Sequence, residues 1–305
     1  MAAACLFALI VILCLPSFIS AEESESDRPY PIDVTEQTLN NPAELARLQK
    51  PGTILFEEGF EEPDALKRFY NLRESDRGAQ QIVLDGSVAH SGKGSLQLHT
   101  IDEGGESSDA GVTHWLGEGA DTVYYRRYIR FAEDYDQGDL NHVGGSLYAV
   151  AGDNPSAQMG RAGLRPAGDD RFGAGFEPWK DWGRNPAPGS MMLYTYWMDM
   201  KVSGDGEKYW GNNFMPDETR RIVPERGAWV CLEHALISNT PGEANGELAA
   251  WVDGKLYMHL KGFRWRSSPN VKPKRVTCGM YIHRSKKKNV LWYDDLAAST
   301  GYIGP

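Results

Sequence analysis

Cysteine is scarce in this chain. Of its four cysteines, Cys5 and Cys14 lie within the first 21 residues, so only Cys231 and Cys278 belong to the remainder. Both lie in strand-like runs. The two thiols are predicted either to form a disulfide, which export would permit, or to stay free and buried. The remainder can form at most one disulfide.

The motifs of several large enzyme classes are absent. The chain contains no P-loop, no dinucleotide fingerprint, no GxSxG elbow, no HExxH and no CxxC pair, which excludes most nucleotide, serine-hydrolase and zinc chemistry. The E-x-D-x-x-E strand of many jelly-roll glycosidases is missing too. Hydrolysis of a glycosidic bond needs two flanking carboxyl groups. Because no predicted strand presents such a pair on one face, a hydrolase ranks third among the functions considered.

Basic residues are fewer than acidic ones, 32 against 42. The first 21 residues contain no charged side chain. The formal net charge is −10, which argues against a nucleic-acid binder, although local basic clusters could still meet a polyanionic substrate. The uncharged apolar run is short for a membrane span and is interrupted by Pro16. It predicts a signal peptide over residues 1–21, with an uncleaved anchor as the alternative. The mature chain is expected to be secreted or periplasmic, monomeric and without a membrane span.

The rest of the chain divides into a polar lead-in and one strand-rich region. Residues 22–51 are predicted to be a flexible lead-in with one weak helical stretch at 42–49. From 52 to 305, short strand-like runs alternate with Gly, Asn, Asp and Pro, and Asp253-Gly254 predicts a two-residue hairpin. This pattern indicates an all-β domain of two packed antiparallel sheets, a jelly roll. Its two long loops, at about 153–190 and 202–227, are typical of functional loops.

A mixture of His, Arg and Tyr remains as candidate chemistry. Tyr194 and Tyr196 are two residues apart and would share one face of a strand. Arg161 and Arg165 are four apart, and His142 opens another strand-like run. Glycines around these residues would leave a sheet face bare, where a ligand can approach the backbone.

This set suits β-elimination on a uronic-acid polymer. Arg161 or Arg165 would neutralise the sugar carboxylate, because a guanidinium binds a carboxylate through two hydrogen bonds. His142, with an ordinary pKa near 6.5, would remove the proton α to that carboxylate. Tyr194 or Tyr196 would protonate the leaving oxygen. The alternative is a carbohydrate-binding protein without turnover.

Several segments together resemble secreted bacterial polysaccharide lyase-like proteins with a concanavalin-like jelly roll. They are HVGG, GRAGLRPAGDDRFGAGFEPW, YTYW, WVCLEHALISNTPG, NGELAAWVDGK and NVLWYDDLAASTGYIGP. The resemblance covers roughly residues 53–305 and extends more distantly to family 14 alginate lyases and family 20 glucuronan lyases. It implies an anionic polysaccharide as partner, and a Tyr-x-Tyr strand in family 14 that supplies the catalytic phenol, matched here by Tyr194 and Tyr196.

The sequence departs from the family 14 pattern at two places. Ser146 stands where that family has a lysine, and residues 173–175 read Gly-Ala-Gly where a Ser-x-Arg strand is expected. Either His142 with an arginine replaces these cations, or the protein only binds sugar. Ser146, Glu177 and Trp179 are predicted to contact the substrate.

The resemblance also implies a structural calcium ion between the first and last strands. Its predicted ligands are the carboxylates of Glu58 and Asp294, with a carbonyl oxygen from the loop at 91–94, since calcium prefers hard oxygen ligands.

Overall fold

The computed structural model describes residues 28–73, 75–138 and 140–305. The predicted signal peptide therefore lies outside the described residues. Within them the helices are α1 (Thr35–Leu39) and α2 (Pro42–Leu48), and neither is long and apolar enough to span a membrane. The strands are β1 (Ile32–Asp33), β2 (Ile54–Glu58), β3 (Asn71–Arg73), β4 (Gln80–Val83), β5 (Ser95–His99), β6 (Ser108–Trp115), β7 (Thr122–Phe131), β8 (Asn141–Val143), β9 (Ser146–Ala151), β10 (Arg171–Trp179), β11 (Ser190–Tyr196), β12 (Asn212–Phe214), β13 (Trp229–Ile237), β14 (Gly246–Val252), β15 (Lys255–Phe263), β16 (Val271–Ile282) and β17 (Val290–Ser299).

These strands form two antiparallel sheets that pack face to face. The nine-stranded sheet has the order β1-β15-β14-β13-β7-β17-β5-β4, with β2 also paired to β17. The eight-stranded sheet has the order β12-β11-β10-β9-β16-β6-β3, with β8 also paired to β16. Several neighbouring strands, such as β13 and β7 or β9 and β16, are distant in sequence, as in jelly rolls. The predicted all-β sandwich is confirmed.

Alternation of side chains along each strand builds the core between the sheets. In β11 and just after it, Leu193, Thr195 and Trp197 are fully buried, while Tyr194 and Tyr196 point to the opposite face. This is the two-residue period of a strand with one face in the core. The hairpin prediction is confirmed as well: Asp253 and Gly254 connect β14 to β15 with φ angles of 47° and 74°, the positive values that this type of turn needs.

The segment expected to be a flexible lead-in is instead folded onto the nine-stranded sheet from residue 32 onward. The His259 N–H donates to Thr35 Oγ1 (2.8 Å), and Thr38 Oγ1 lies 2.7 Å from His259 Nδ1. Leu48 at the end of α2 is fully buried against Tyr124 and Trp251. The prediction missed this because two helices of five and seven residues carry little periodicity of their own. They are ordered by the apolar patch that they cover.

Replacing Leu48 with alanine should therefore destabilise the protein. We expect the free energy of unfolding to fall by about 2–5 kcal/mol, because a fully buried leucine is removed from a packed site. Leu39→Ala, at an exposed position of α1, is the matched control and should change it by less than about 0.5 kcal/mol. Equal, small effects in a chemical denaturation series would mean that this segment is not part of the folded unit.

The two cysteines among the described residues, Cys231 and Cys278, are free thiols on different sheets. Cys278 in β16 lies in the core between the sheets, where its Sγ is 2.9 Å from the Tyr125 hydroxyl. Cys231 in β13 is buried in the other sheet. Burial raises the pKa of both thiols to about 12, so they are protonated and unreactive at neutral pH. Of the two predicted alternatives, the structure has the buried free thiols.

Candidate functional site

A hollow lies on the face of the eight-stranded sheet that points away from the core. Gly111, Gly144, Gly145 and Gly279 contribute to its floor. A Cβ atom at Gly145 would lie 2.7 Å from both the Thr277 carbonyl oxygen and a guanidinium nitrogen, so a side chain there would require the backbone to move. Of the glycines near the candidate residues that predicted a bare face, Gly144 lies on this floor. The polar residues of the hollow are Arg73, Asp109, Thr113, His142, Ser146, Tyr148, Glu177, Thr277 and Tyr281.

His142 and Glu177 meet at this hollow. His142 in β8 pairs with Tyr281 in β16, and its Nδ1 lies 3.0 Å from Glu177 Oε1. The Glu177 side chain is 5% exposed, whereas 43% of the His142 side chain is accessible. If Nδ1 carries the proton and donates it to Glu177, Nε2 is left with a lone pair, which is the arrangement of a general base.

Two opposing effects act on the pKa of His142. Burial removes water from the imidazole and by itself would lower the pKa. The negative charge of Glu177 and its hydrogen bond outweigh that effect, so the pKa of His142 lies above the ordinary 6.5. The other charged and titratable groups around the ring are Arg73, Asp109, Tyr194, Tyr281 and His283. Among these, Arg73 lowers the pKa and Asp109 raises it.

Glu177→Gln should lower the pKa of His142, measured by NMR titration of the imidazole. A group whose pKa is raised in the folded state stabilises the fold below its unfolded pKa, and this contribution is lost as the pH rises through the folded value. The substitution should therefore lower the unfolding temperature more at about pH 5.5 than at about pH 9. An unchanged His142 pKa would show that Glu177 does not hold the imidazole.

Tyr194 and Tyr196 face the same side as Glu177, but two loops cover them. Their hydroxyl oxygens are 3.4 Å apart. The Gly211 N–H donates to the Tyr194 hydroxyl (2.8 Å), and the Gly163 N–H points at the Tyr196 hydroxyl (3.4 Å). The phenols are thus half-buried rather than bare. Burial, followed by Tyr196 and the charge of Glu177, raises the pKa of Tyr194 well above 10, so this phenol keeps its proton at neutral pH.

The rings of His142 and Tyr194 are neighbours across the sheet. Their centroids are 4.8 Å apart, and Tyr194 pairs with Gly175 in β10, two residues before Glu177. The absence of a side chain at Gly175 leaves room beside Ser146, whose Oγ would be 2.9 Å from a Cβ placed there. Three of the side chains expected at the site, His142, Glu177 and Tyr194, therefore converge.

The two arginines expected to neutralise a carboxylate lie elsewhere. Arg161 and Arg165 are exposed residues of the loop between β9 and β10, and neither belongs to the described residues that line the hollow. The Arg165 guanidinium lies 5.5 Å above the Tyr209 ring and points at the Met198 carbonyl oxygen (3.4 Å). A spacing of four residues places two side chains on the same face of an extended strand, whereas this segment forms turns.

Of the predicted substrate contacts, Ser146 and Glu177 line the hollow, and Trp179 extends the same face. Trp179 lies two residues beyond Glu177 in β10 and meets Trp182 edge to face, with ring centroids 6.3 Å apart. Trp182 is 62% exposed. The pair therefore offers aromatic surface at this end of the face.

The two predicted calcium ligands are already occupied by hydrogen-bond donors. The carboxylate of Glu58 accepts from the Phe60 N–H (2.7 Å) and pairs with Arg68 (2.5 Å). The carboxylate of Asp294 accepts from the N–H groups of His90, Ser91 and Asp295. Within the loop at 91–94, Ser91 thus presents an N–H group to Asp294, whereas calcium would need a carbonyl oxygen there. This donor set does not fit a calcium ion.

Sequence reasoning missed the side of the hollow that β3 and β6 form. Arg73 Nη1 in β3 donates to both carboxylate oxygens of Asp109 in β6, each at 3.0 Å. In β6, Asp109, Gly111 and Thr113 alternate with the buried Ala110 and Val112. That period of two was the available signal for a strand.

A buried arginine supports the floor from below. Arg127 in β7 is fully buried, and its guanidinium donates to the Phe176 carbonyl oxygen (2.5 Å) and to His234 Nδ1 (3.0 Å). Burial and then the charge of Arg127 hold the pKa of His234 well below 6.5, so His234 is neutral. The residue after Phe176 is Glu177, so this contact lies directly beneath the site.

No family model matches the chain, and no curated protein matches it. Solved structures do. One is a marine PL-14 alginate lyase from Aplysia kurodai (12% identity, TM-score 0.58, covering 83% of this chain and 100% of that one). A second is an endo-β-1,4-glucuronan lyase from the fungus Trichoderma reesei (15%, 0.50, 81% and 95%). A third is a double mutant of an alginate lyase in complex with alginate tetrasaccharide (14%, 0.50, 82% and 97%).

The chain has the fold of these lyases. At identities of 12–15% the likeness concerns the fold, and it confirms the expected resemblance at that level. In this fold the His142–Glu177 pair and Tyr194 lie on one sheet face, which is open at His142 and covered by loops at Tyr194. The roles of individual residues rest on their own geometry.

Proposed function

We propose that this protein is a secreted polysaccharide lyase that cleaves a uronic-acid-containing polysaccharide by β-elimination. The observation that carries the proposal is the meeting of His142 and Glu177 at a glycine-floored hollow, with the Tyr194 ring beside His142. The lyase fold supports it. Secretion is inferred from the uncharged run over residues 1–21.

In the proposed reaction, His142 Nε2 removes the proton on the carbon α to the sugar carboxylate. The electron pair of that C–H bond forms the new double bond, and the bond from the β carbon to the glycosidic oxygen breaks. Tyr194 gives its proton to that oxygen. The Gly211 N–H then stabilises the phenolate, and Tyr194 is reprotonated from solvent. Glu177 holds the imidazole and stabilises the imidazolium ion that forms.

A second function is favoured by the covered phenols. The backbone of Gly163 and Gly211 lies against Tyr196 and Tyr194, and Ser146 stands where family 14 has its lysine. A protein with this arrangement could bind an anionic polysaccharide without cleaving it.

One assay separates these functions. The purified protein is incubated with polymers of mannuronate, guluronate and glucuronate, and ultraviolet absorbance follows the unsaturated product. We expect absorbance to grow with at least one polymer. Binding without absorbance growth would identify the non-catalytic protein, and new reducing ends without absorbance growth would identify a hydrolase.

A further inference from the structure

One buried arginine on the site face, Arg275, has no hydrogen-bond acceptor among the described residues. Arg275 in β16 is 4% exposed. The other three buried arginines each donate to a carbonyl oxygen or pair with a carboxylate; they are Arg127, Arg171 and Arg266. Among the residues that the structure describes, by contrast, none accepts a hydrogen bond from the Arg275 guanidinium, and its Nε is both buried and unbonded. Its one close partner is the Tyr148 ring, 4.9 Å from the guanidinium carbon.

The Arg275 side chain lies at a hollow of its own. Tyr70, Asn71, Ser156 and Met159 line it together with Arg275 and Pro155. Tyr70 closes one side, because its hydroxyl points at the Pro155 carbonyl oxygen (3.4 Å). The Asn71 amide and the Ser156 hydroxyl add polar groups that can meet an oxygen. The loop after β9 thus forms one wall of this hollow, and β3 and β16 form the other.

A buried, unbonded guanidinium nitrogen such as Arg275 Nε is costly, because it has lost water without gaining an acceptor. A ligand with a planar oxyanion would satisfy it, since the guanidinium fork matches a carboxylate. The Tyr148 ring beneath it holds the plane of the fork. Tyr148 itself lies over Gly173, where a Cβ would be 2.5 Å from the ring. These contacts fix the orientation of the fork before any ligand arrives.

Arg275 belongs to the same face as the candidate active site. It pairs with Tyr148, as Thr277 does with Ser146 and Tyr281 does with His142. Six residues of one strand separate Arg275 from Tyr281, which corresponds to about 20 Å. An extended anionic sugar chain can reach both places.

We propose that Arg275 and its hollow form a remote carboxylate-binding subsite, which takes a uronate residue of the same chain that His142 and Glu177 act on. The subsite rests on the proposed function for its ligand. It explains how the face recognises a polyanion although the sequence-predicted arginines lie outside the hollow. Remote binding of this kind selects long chains over short ones.

The test uses hexasaccharides and disaccharides of mannuronate, guluronate and glucuronate, titrated calorimetrically in the His142→Ala background to prevent cleavage. Arg275→Met should weaken binding of the best hexasaccharide about 10- to 100-fold, because a charge-assisted hydrogen-bonding pair is lost. The hexasaccharide affinity of Arg275→Lys should lie between those of the parent and Arg275→Met, since lysine keeps the positive charge but lacks the two-pronged guanidinium geometry. Disaccharide binding and binding of a carboxyl-reduced hexasaccharide should be unaffected.

Arg165→Met is the matched control and should bind like its parent. The unfolding temperature of Arg275→Met should stay equal or rise, because an unpaired buried charge is removed. Unchanged hexasaccharide affinity in Arg275→Met would overturn the subsite while leaving lyase activity intact. If no uronate oligomer binds, the proposed function fails. The subsite is then decided by the Nε–H NMR signal of Arg275 during titration with sodium acetate: a saturable shift supports an oxyanion site, and no shift refutes it.

Discussion

Replacing His142 with alanine is expected to lower the turnover of a uronate polymer by about 100- to 10,000-fold, the range for loss of a general base. The imidazole is partly exposed at the hollow, and Glu177 orients it through the 3.0 Å contact. Initial rates of ultraviolet absorbance growth measure the effect. Glu177 raises the pKa of His142 above 6.5. The neutral imidazole, which is the active base, accumulates as the pH rises through this raised pKa. The wild-type rate should therefore increase over that pH range.

His283→Ala is the appropriate comparison for this variant. His283 lies near His142, with ring centroids 6.4 Å apart, and no described residue connects it to Glu177. Its loss should leave the rate close to that of the wild type. A His142→Ala protein that retains wild-type turnover and melts normally would remove His142 from the mechanism.

Tyr194→Phe is expected to reduce turnover by about 100- to 10,000-fold as well, by removing the proton donor for the leaving oxygen. The raised pKa of Tyr194 means that the phenol stays protonated throughout the assay range, as an acid must. The substitution keeps the ring that packs beside His142, so binding of the polymer should change little. A fall in kcat with an almost unchanged KM is the expected signature.

Tyr281→Phe controls for the phenol itself. Tyr281 lies parallel to His142, with ring centroids 6.3 Å apart, and contributes a hydroxyl on the other side of the imidazole. Its removal should have a small effect. Equal losses in the Tyr194 and Tyr281 variants would assign the effect to the surroundings of the imidazole rather than to proton donation by Tyr194.

The sheet pairings explain why part of the site was predictable and part was not. His142, Glu177 and Tyr194 were found because each lies in a strand whose alternation is visible in the sequence. Their contact depends on the pairing of β10 with β11 and on the β8 segment lying beside them. Arg275 was missed because a strand pattern shows only that a side chain faces outward. It does not show whether a hydrogen-bond acceptor or a carboxylate lies opposite on the neighbouring strand.

Local sequence determined the strand-rich character of the chain, the Asp253-Gly254 turn and the face on which the two tyrosines lie, because these follow from neighbouring residues alone. Tertiary structure decided which arginine has no partner, which carboxylates accept hydrogen bonds and whether the segment before residue 52 is folded. These outcomes depend on contacts between residues far apart in the chain, and on how much water each contact excludes.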